Sequence, residues 1–280
     1  MTARIRVGAA TDVGRVRDHN EDAYLVAEDL GLIAVADGMG GHRGGEVAST
    51  TALEALRIAF LAGAAIQDAV LAANEAVHDQ SVADPNLRGM GTTITAGALT
   101  EGSLLLGHVG DSRAYLFRDG QLQRVTTDHS LVEELIRAGE LTETEAEHDP
   151  RRSMITRALG LDSGVEIDLE KIILADGDRV LLCSDGLTNM VNEHDLARHL
   201  VETSDPQAVA RDLVDSANAA GGVDNITVVV IDVDAADGGD DGPAADGPAA
   251  DAAAGDAPAP GDAPTELIAE APSRRWWRRR

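Results

Sequence analysis

Two short apolar runs in this chain end on a carboxylate. Leu32-Ile33-Ala34-Val35-Ala36 leads into Asp37, and Val180-Leu181-Leu182-Cys183 leads through Ser184 into Asp185. Unbroken runs this short, closed by turn residues, read as strands buried on both faces. A carboxylate at the end of such a strand is costly unless it is paired, hydrogen-bonded or bound to a cation. Any fold this chain adopts must therefore bring a partner to each of those charges.

The rest of the pattern is mixed. A glycine-rich loop follows Asp37, and then Val47, Leu53, Leu56 and Phe60 fall at helical intervals. Ile66, Val70, Ala73 and Val77 mark a second helix. Strand patterns cover Thr92–Leu99, Ser103–Val109, Arg113–Arg118 and Gln121–Thr126, and a helix over Ser130–Ala138 has Ser130 as its N-cap with Glu133 three residues on. Residues 139–164 are polar and weakly periodic. Strands return at Glu166–Leu174 and Arg179–Ser184, helical patterns run to about Ala220, and Asn225–Val233 is a final strand. Hairpins in series with helices inserted in groups indicate antiparallel sheets covered by helices, an α+β domain rather than alternating βαβ units. Asp-Gly is also a common turn, and Asp119-Gly120 and Asp176-Gly177, each between two strand patterns, read as two-residue hairpin loops.

Composition narrows the function. The chain has 23 Lys and Arg against 49 Asp and Glu, a formal charge of −26. That argues against nucleic acid as the main partner, because phosphate neutralisation needs clustered cations. A phosphorylated substrate is not excluded, since bound cations become the largest local charges in an aspartate site. Cys183 is the sole cysteine, so neither a disulfide nor a thiolate zinc site is expected. With no signal-peptide core and no membrane-length apolar run, a monomeric cytoplasmic protein is the expectation. Residues 1–234 read as the catalytic domain. Residues 235–273, rich in Ala, Gly, Pro and Asp and devoid of Lys and Arg, read as a disordered acidic tail. Residues 274–280, Arg-Arg-Trp-Trp-Arg-Arg-Arg, reverse the sign. Such a terminus suits peripheral contact with an anionic membrane at the inner face; pairing with the acidic tail is the competing reading.

Aspartates recur in Asn20-Glu21-Asp22, Asp37-Gly38-Met39-Gly40-Gly41-His42, Gly110-Asp111-Ser112-Arg113, Ser184-Asp185-Gly186 and Asp224-Asn225. Carboxylates are hard oxygen ligands suited to Mg2+ or Mn2+. A pair of such ions activates water at neutral pH, which fits hydrolysis of phosphate esters. Arg17, four residues before Glu21, can grip two phosphate oxygens at once.

This ordered set, with Gly91-Thr92-Thr93, resembles the metal-dependent protein phosphatase family, type 2C, in its bacterial branch, from about residue 4 to 233. The resemblance implies a four-layer α-β-β-α sandwich with two central antiparallel sheets flanked by helical pairs. It implies that Asp37 bridges two catalytic Mn2+ or Mg2+ ions, that Gly38 offers a carbonyl, and that Asp185 and Asp224 complete the other site. Glu21 and Asp22 would act through water, Asp111 with Asp185 at a third metal, and Arg17 on the substrate phosphate. Asn225 would support Asp224. The family's eukaryotic histidine after Asp-Gly is Met39 here; His42 and a metal-held water compete as the proton donor. Residues 139–164 match the family's variable flap. The implied activity is hydrolysis of phosphoserine and phosphothreonine in proteins, opposing bacterial Ser/Thr kinases. A catalytically silent binding protein on the same fold and a phosphatase for small phosphoesters are the alternatives.

Overall fold

The run from Leu32 is a strand covered on both sides. Leu32, Ala34 and Ala36 pack outward against helices, whereas Ile33 and Val35 pack inward against a second sheet. The computed structural model describes residues 4–41, 43–146 and 149–234. Its strands are β1 (Arg4–Asp12), β2 (Asp22–Ala27), β3 (Leu32–Met39), β4 (Gly91–Thr92), β5 (Ile94–Thr100), β6 (Ser103–Val109), β7 (Arg113–Arg118), β8 (Gln121–Arg124), β9 (Asp168–Ile173), β10 (Arg179–Cys183) and β11 (Ile226–Asp234). Its helices are α1 (Gly44–Leu61), α2 (Ile66–Ala83), α3 (Leu131–Arg137), α4 (Glu143–Ala146), α5 (Asp185–Thr188), α6 (Glu193–Glu202) and α7 (Pro206–Ala219).

One sheet runs β1-β11-β10-β7-β8 and the other β2-β3-β5-β6-β9, with β4 paired to β3. Every pairing is antiparallel. Three apolar clusters fill the spaces of a four-layer α-β-β-α sandwich. Between the sheets lie Ile33, Val35, Leu104, Leu106, Val180, Leu182, Val229 and Ile231. The alternate residues Leu181, Cys183, Val228 and Val230 face outward against α6 and α7, through Leu196, Leu200, Val209 and Leu213. Leu53, Leu56, Val70 and Val77 of α1 and α2 cover the other sheet. The period of two along each strand thus divides one continuous apolar run between two cores.

The α+β sandwich follows the sequence expectation, with one correction. β7 and β8 form the hairpin expected at Asp119-Gly120. The strands around Asp176-Gly177 do not pair with each other: β9 joins β6 in one sheet and β10 joins β7 and β11 in the other. Residues 174–178 therefore make a turn that crosses between sheets. The outer contacts of the two strands set this, because β10 needs apolar neighbours on both faces while β9 is a largely exposed edge. The acidic tail and the Arg/Trp terminus lie outside the described residues. Among the described residues, no helix is long and apolar enough to cross a membrane.

Candidate active site

The topology gathers the acidic motifs at one end of the sandwich. In the β2–β3 pair Asp22 stands opposite Asp37, so the start of one strand meets the end of the other. Cys183 stands opposite both Val228 and Arg113, which brings Asp185, the start of β11 and the Gly110–Ser112 loop to the same edge. Arg17, Glu21, Asp37, Gly38, Asp111, Asp185, Asp224 and Asn225 line one cavity of about 310 Å³.

Neutral partners fix these groups by their backbone, leaving the carboxylates turned to the cavity. The Asp37 N–H donates to Thr93 Oγ1 at 2.9 Å, and its carbonyl accepts from Thr92 Oγ1 at 2.9 Å. This explains why Thr92 and Thr93 accompany the aspartates. The Glu21 carbonyl accepts from Gly38 N at 3.2 Å and from Ser49 Oγ at 2.7 Å. Close approach here requires glycine: a Cβ on Gly45 would lie 2.8 Å from the Gly38 carbonyl carbon, a backbone atom, as well as against the Glu21 carboxylate.

Burial and mutual repulsion act on these carboxylates together. Burial raises the Asp22 carboxyl to about 7, reinforced by Asp185 and Asp224. Burial likewise raises Asp37, with Asp22 the next cause, and Asp111, with Asp185 the next. Asp185 is raised by burial and then by Asp224. Asp22 Oδ2 accepts from Ser184 Oγ at 2.7 Å and Asp185 Oδ2 from Asn189 Nδ2 at 2.9 Å. The other oxygen of each is buried with no partner. Among the described residues no three acidic, imidazole or thiol groups close on one point as a finished ligand shell. The carboxylates line the cavity from separate elements instead. Unpaired buried carboxylate oxygens in an all-oxygen donor set fit hard divalent cations.

A family model for protein phosphatase 2C matches residues 14–216. The chain belongs to the protein phosphatase 2C family. Curated relatives include the serine/threonine phosphatase stp of Listeria monocytogenes, 38% identical over 244 residues, covering 82% of this chain and 97% of that one. The protein phosphatase PhpP of Streptococcus pneumoniae is 37% identical over 250 residues, covering 83% and 99%. Among solved structures, the Mycobacterium tuberculosis serine/threonine phosphatase PstP/Ppp superposes with a TM-score of 0.77 at 41% identity, covering 82% and 99%. A PstP catalytic domain in complex with two manganese ions gives 0.76 at 39% identity, covering 83% and 100%. The chain is accordingly a bacterial-type, metal-dependent protein serine/threonine phosphatase.

Within this phosphatase 2C domain the expected site residues divide by position. Asp37, Gly38, Asp111, Asp185, Asp224, Glu21 and Arg17 share the cavity wall. Asp22 lies behind it, 9% exposed and bonded to Ser184. Arg17 Nη2 contacts Asp224 Oδ2 at 2.8 Å, with its side chain 52% exposed. An ion pair so open to water holds weakly, which leaves the guanidinium free to turn to a ligand. His42 lies outside the described residues. Sequence reasoning did not single out Ser153 and Ile155, which also line the cavity. Their segment is lashed beside the site by Leu131 N to Met154 O at 2.8 Å and Thr156 N to His129 O at 2.8 Å. Periodicity in 139–164 gives no signal for that placement; the resemblance to the family's flap beside the active site anticipates it for the segment, though not for these two residues.

Proposed function

We propose that the chain removes phosphate from phosphoserine and phosphothreonine of proteins at this cavity, opposing Ser/Thr kinases, with Asp37, Gly38, Asp185 and Asp224 holding two Mn2+ or Mg2+ ions. The observation that carries this reading is the pair of partnerless buried oxygens on Asp22 and Asp185, set among carboxyls whose ionisation burial opposes. Such a cluster is stable in its charged form only around cations. Bound there, the ions supply charge neutralisation and water activation, the two needs of phosphomonoester hydrolysis.

The protein's own groups do the positioning. Arg17 leaves Asp224 and takes two phosphate oxygens in a bidentate grip. Asp111, opposite Asp185, serves an accessory cation. Glu21 and Asp22 act through ordered water: Glu21 from the wall, Asp22 from behind through Ser184. Ser153 and Ile155 meet the substrate beyond the phosphate, so residues 139–164 contribute to peptide choice.

The test is hydrolysis of phosphothreonine and phosphoserine peptides with Mn2+ or Mg2+, against small phosphoesters at matched concentration. The reading requires a metal-dependent rate, higher kcat/KM on phosphopeptides, and loss of the Arg17→Ala variant's affinity for inorganic phosphate. Full turnover in excess chelator ends it; phosphopeptide binding without turnover at saturating Mn2+ supports the silent-scaffold alternative.

For the terminus we propose peripheral contact of Arg274–Arg280 with anionic lipid, supported by its cationic and tryptophan composition. Co-sedimentation with phosphatidylserine vesicles tests it, and equal binding by residues 1–273 removes the role.

A further inference from the structure

Asn225 follows the proposed metal ligand Asp224, and its side chain does not bond to that residue. Its Nδ2 donates to the carbonyls of Val13 and His19, both at 2.9 Å. Its Oδ1 accepts from the Glu21 N–H at 2.8 Å. All three bonds end on the segment joining β1 to β2, the loop that carries Arg17. Only its backbone N–H turns to Asp224, donating to Oδ1 at 2.9 Å.

Residues 15–19 are exposed, and Val16, the apolar side chain among them, is 66% exposed. Further ties at its base are Gly14 N to Asp12 Oδ1 at 2.9 Å, Arg15 N to Gly222 O at 2.6 Å, and Asn20 Nδ2 to Thr11 Oγ1 at 2.8 Å, and in its middle the exposed Arg17 Nη2 meets Asp224 Oδ2 at 2.8 Å. Asn225, 4% exposed, is the group that spans both arms, from Val13 on one side to His19 and Glu21 on the other. A primary amide can donate twice and accept at its oxygen. A carboxylate of the same size would confront two carbonyl oxygens with no proton to offer.

We infer that Asn225 is a positioning residue for phosphate binding: it clamps the two arms of the Arg17 loop and sets the guanidinium's place relative to Asp224. This rests on the reading of Arg17 as the phosphate-gripping group. Being next in the chain to Asp224, Asn225 ties the height of the loop to the floor of the metal site through one rigid strand start.

The experiment uses the full chain with Mn2+ and compares Asn225→Ala, Arg17→Ala and the double variant. Asn225→Asp, equal in size and still able to accept from Glu21, is the second variant where alanine does not fold. Amide hydrogen exchange over 13–21 reads the clamp directly. The expected result is faster exchange confined to that loop, with KM for a phosphothreonine peptide and the inhibition constant for inorganic phosphate rising together by about tenfold, as loss of hydrogen bonds worth ~1 kcal/mol or more implies. The half-saturating Mn2+ concentration stays within about twofold, and Asn225→Ala adds no more than about twofold once Arg17 is alanine, since coupled residues are non-additive. Unchanged exchange over 13–21 overturns the clamp. A raised Mn2+ requirement with unaltered phosphate inhibition overturns it in favour of a role through Asp224, and equal losses in both Arg17 backgrounds overturn it as general destabilisation. If Arg17→Ala itself leaves phosphate inhibition unchanged, the reading of Arg17 fails, and the exchange data show separately whether the clamp exists.

Discussion

The dipeptide Asp-Gly occurs at two kinds of place in this molecule. Asp119-Gly120 and Asp176-Gly177 lie in exposed turns, the first with Asp119 at a φ of 52°. Asp37-Gly38 lies at the end of β3 and Asp185-Gly186 just past β10, both strands buried on both faces. The first two carboxylates are exposed to water. The other two inherit the dielectric of the core behind them, and burial is the leading cause of their raised protonation. The lesson is that the preceding strand, rather than the dipeptide, decides whether an aspartate is a turn residue or a ligand.

The largest expected effect separates the two kinds by activity. Asp37→Asn or Asp185→Asn removes charge that holds a cation whose stabilisation of the transition state is worth several kcal/mol. At about 1.4 kcal/mol per factor of ten, kcat on a phosphopeptide should fall on the order of a thousandfold or more. Asp119→Asn and Asp176→Asn should stay within about twofold, as surface changes do. Wild-type turnover in either buried variant breaks the comparison.

The glycines sharpen it through stability. A Cβ on Gly38 would land inside contact distance of the Gly45 and Glu21 carbonyl oxygens, both backbone atoms that can move only with the site. Gly38→Ala should cost about 3 kcal/mol or more, read as a lower urea midpoint at constant slope. Gly120 has open space around it and a φ of +77°, so Gly120→Ala meets only the left-handed penalty, about 1–2 kcal/mol. Equal losses at both positions mean that close packing does not distinguish the site from the turn.

These contrasts also show what was legible in the sequence and what was not. β3, β10 and β11 were readable because burial on both faces leaves unbroken apolar runs. β1 escaped: along Arg-Ile-Arg-Val-Gly-Ala-Ala-Thr-Asp nearly every position is half-buried, so neither hydrophobicity nor alternation marks it. Asp176 looked like Asp119 because local turn chemistry is silent about which sheet the next strand joins. The aspartates were legible because a carboxylate after a buried strand contradicts its surroundings. Thr93 and Asn225 act through backbone atoms distant in sequence, Asp37 and the 13–21 loop respectively. Such bonds have no local signature, and motif order placed these residues without disclosing what they hold.

The smallest effect concerns metal and pH together, and it too should divide the aspartates. Asp22, at about 7 rather than the ordinary 3.8, favours the fold while protonated. The unfolded chain ionises first, so this contribution is present below about pH 4 and is lost as pH rises through 7. Asp37, Asp111 and Asp185 are shifted in the same direction and act with the same sign. His108, held down to about 4 by burial, works oppositely, losing stability as pH falls from its ordinary 6.5 towards 4. It acts equally in chelated and metal-loaded protein, so the difference between their Tm values isolates the carboxylates. That gap should widen from pH 5 to pH 8, because a cation binds the ionised cluster and displaces its protons. At about a hundred times the dissociation constant, metal contributes roughly 2.7 kcal/mol, a gap of about 5–10 °C for a domain of this size. Asp185→Asn should narrow the gap, while Asp119→Asn should leave it unchanged. A gap that shrinks as pH rises would mean that protons and metal do not compete for these carboxylates, and that the buried and the exposed Asp-Gly pairs differ in solvation alone.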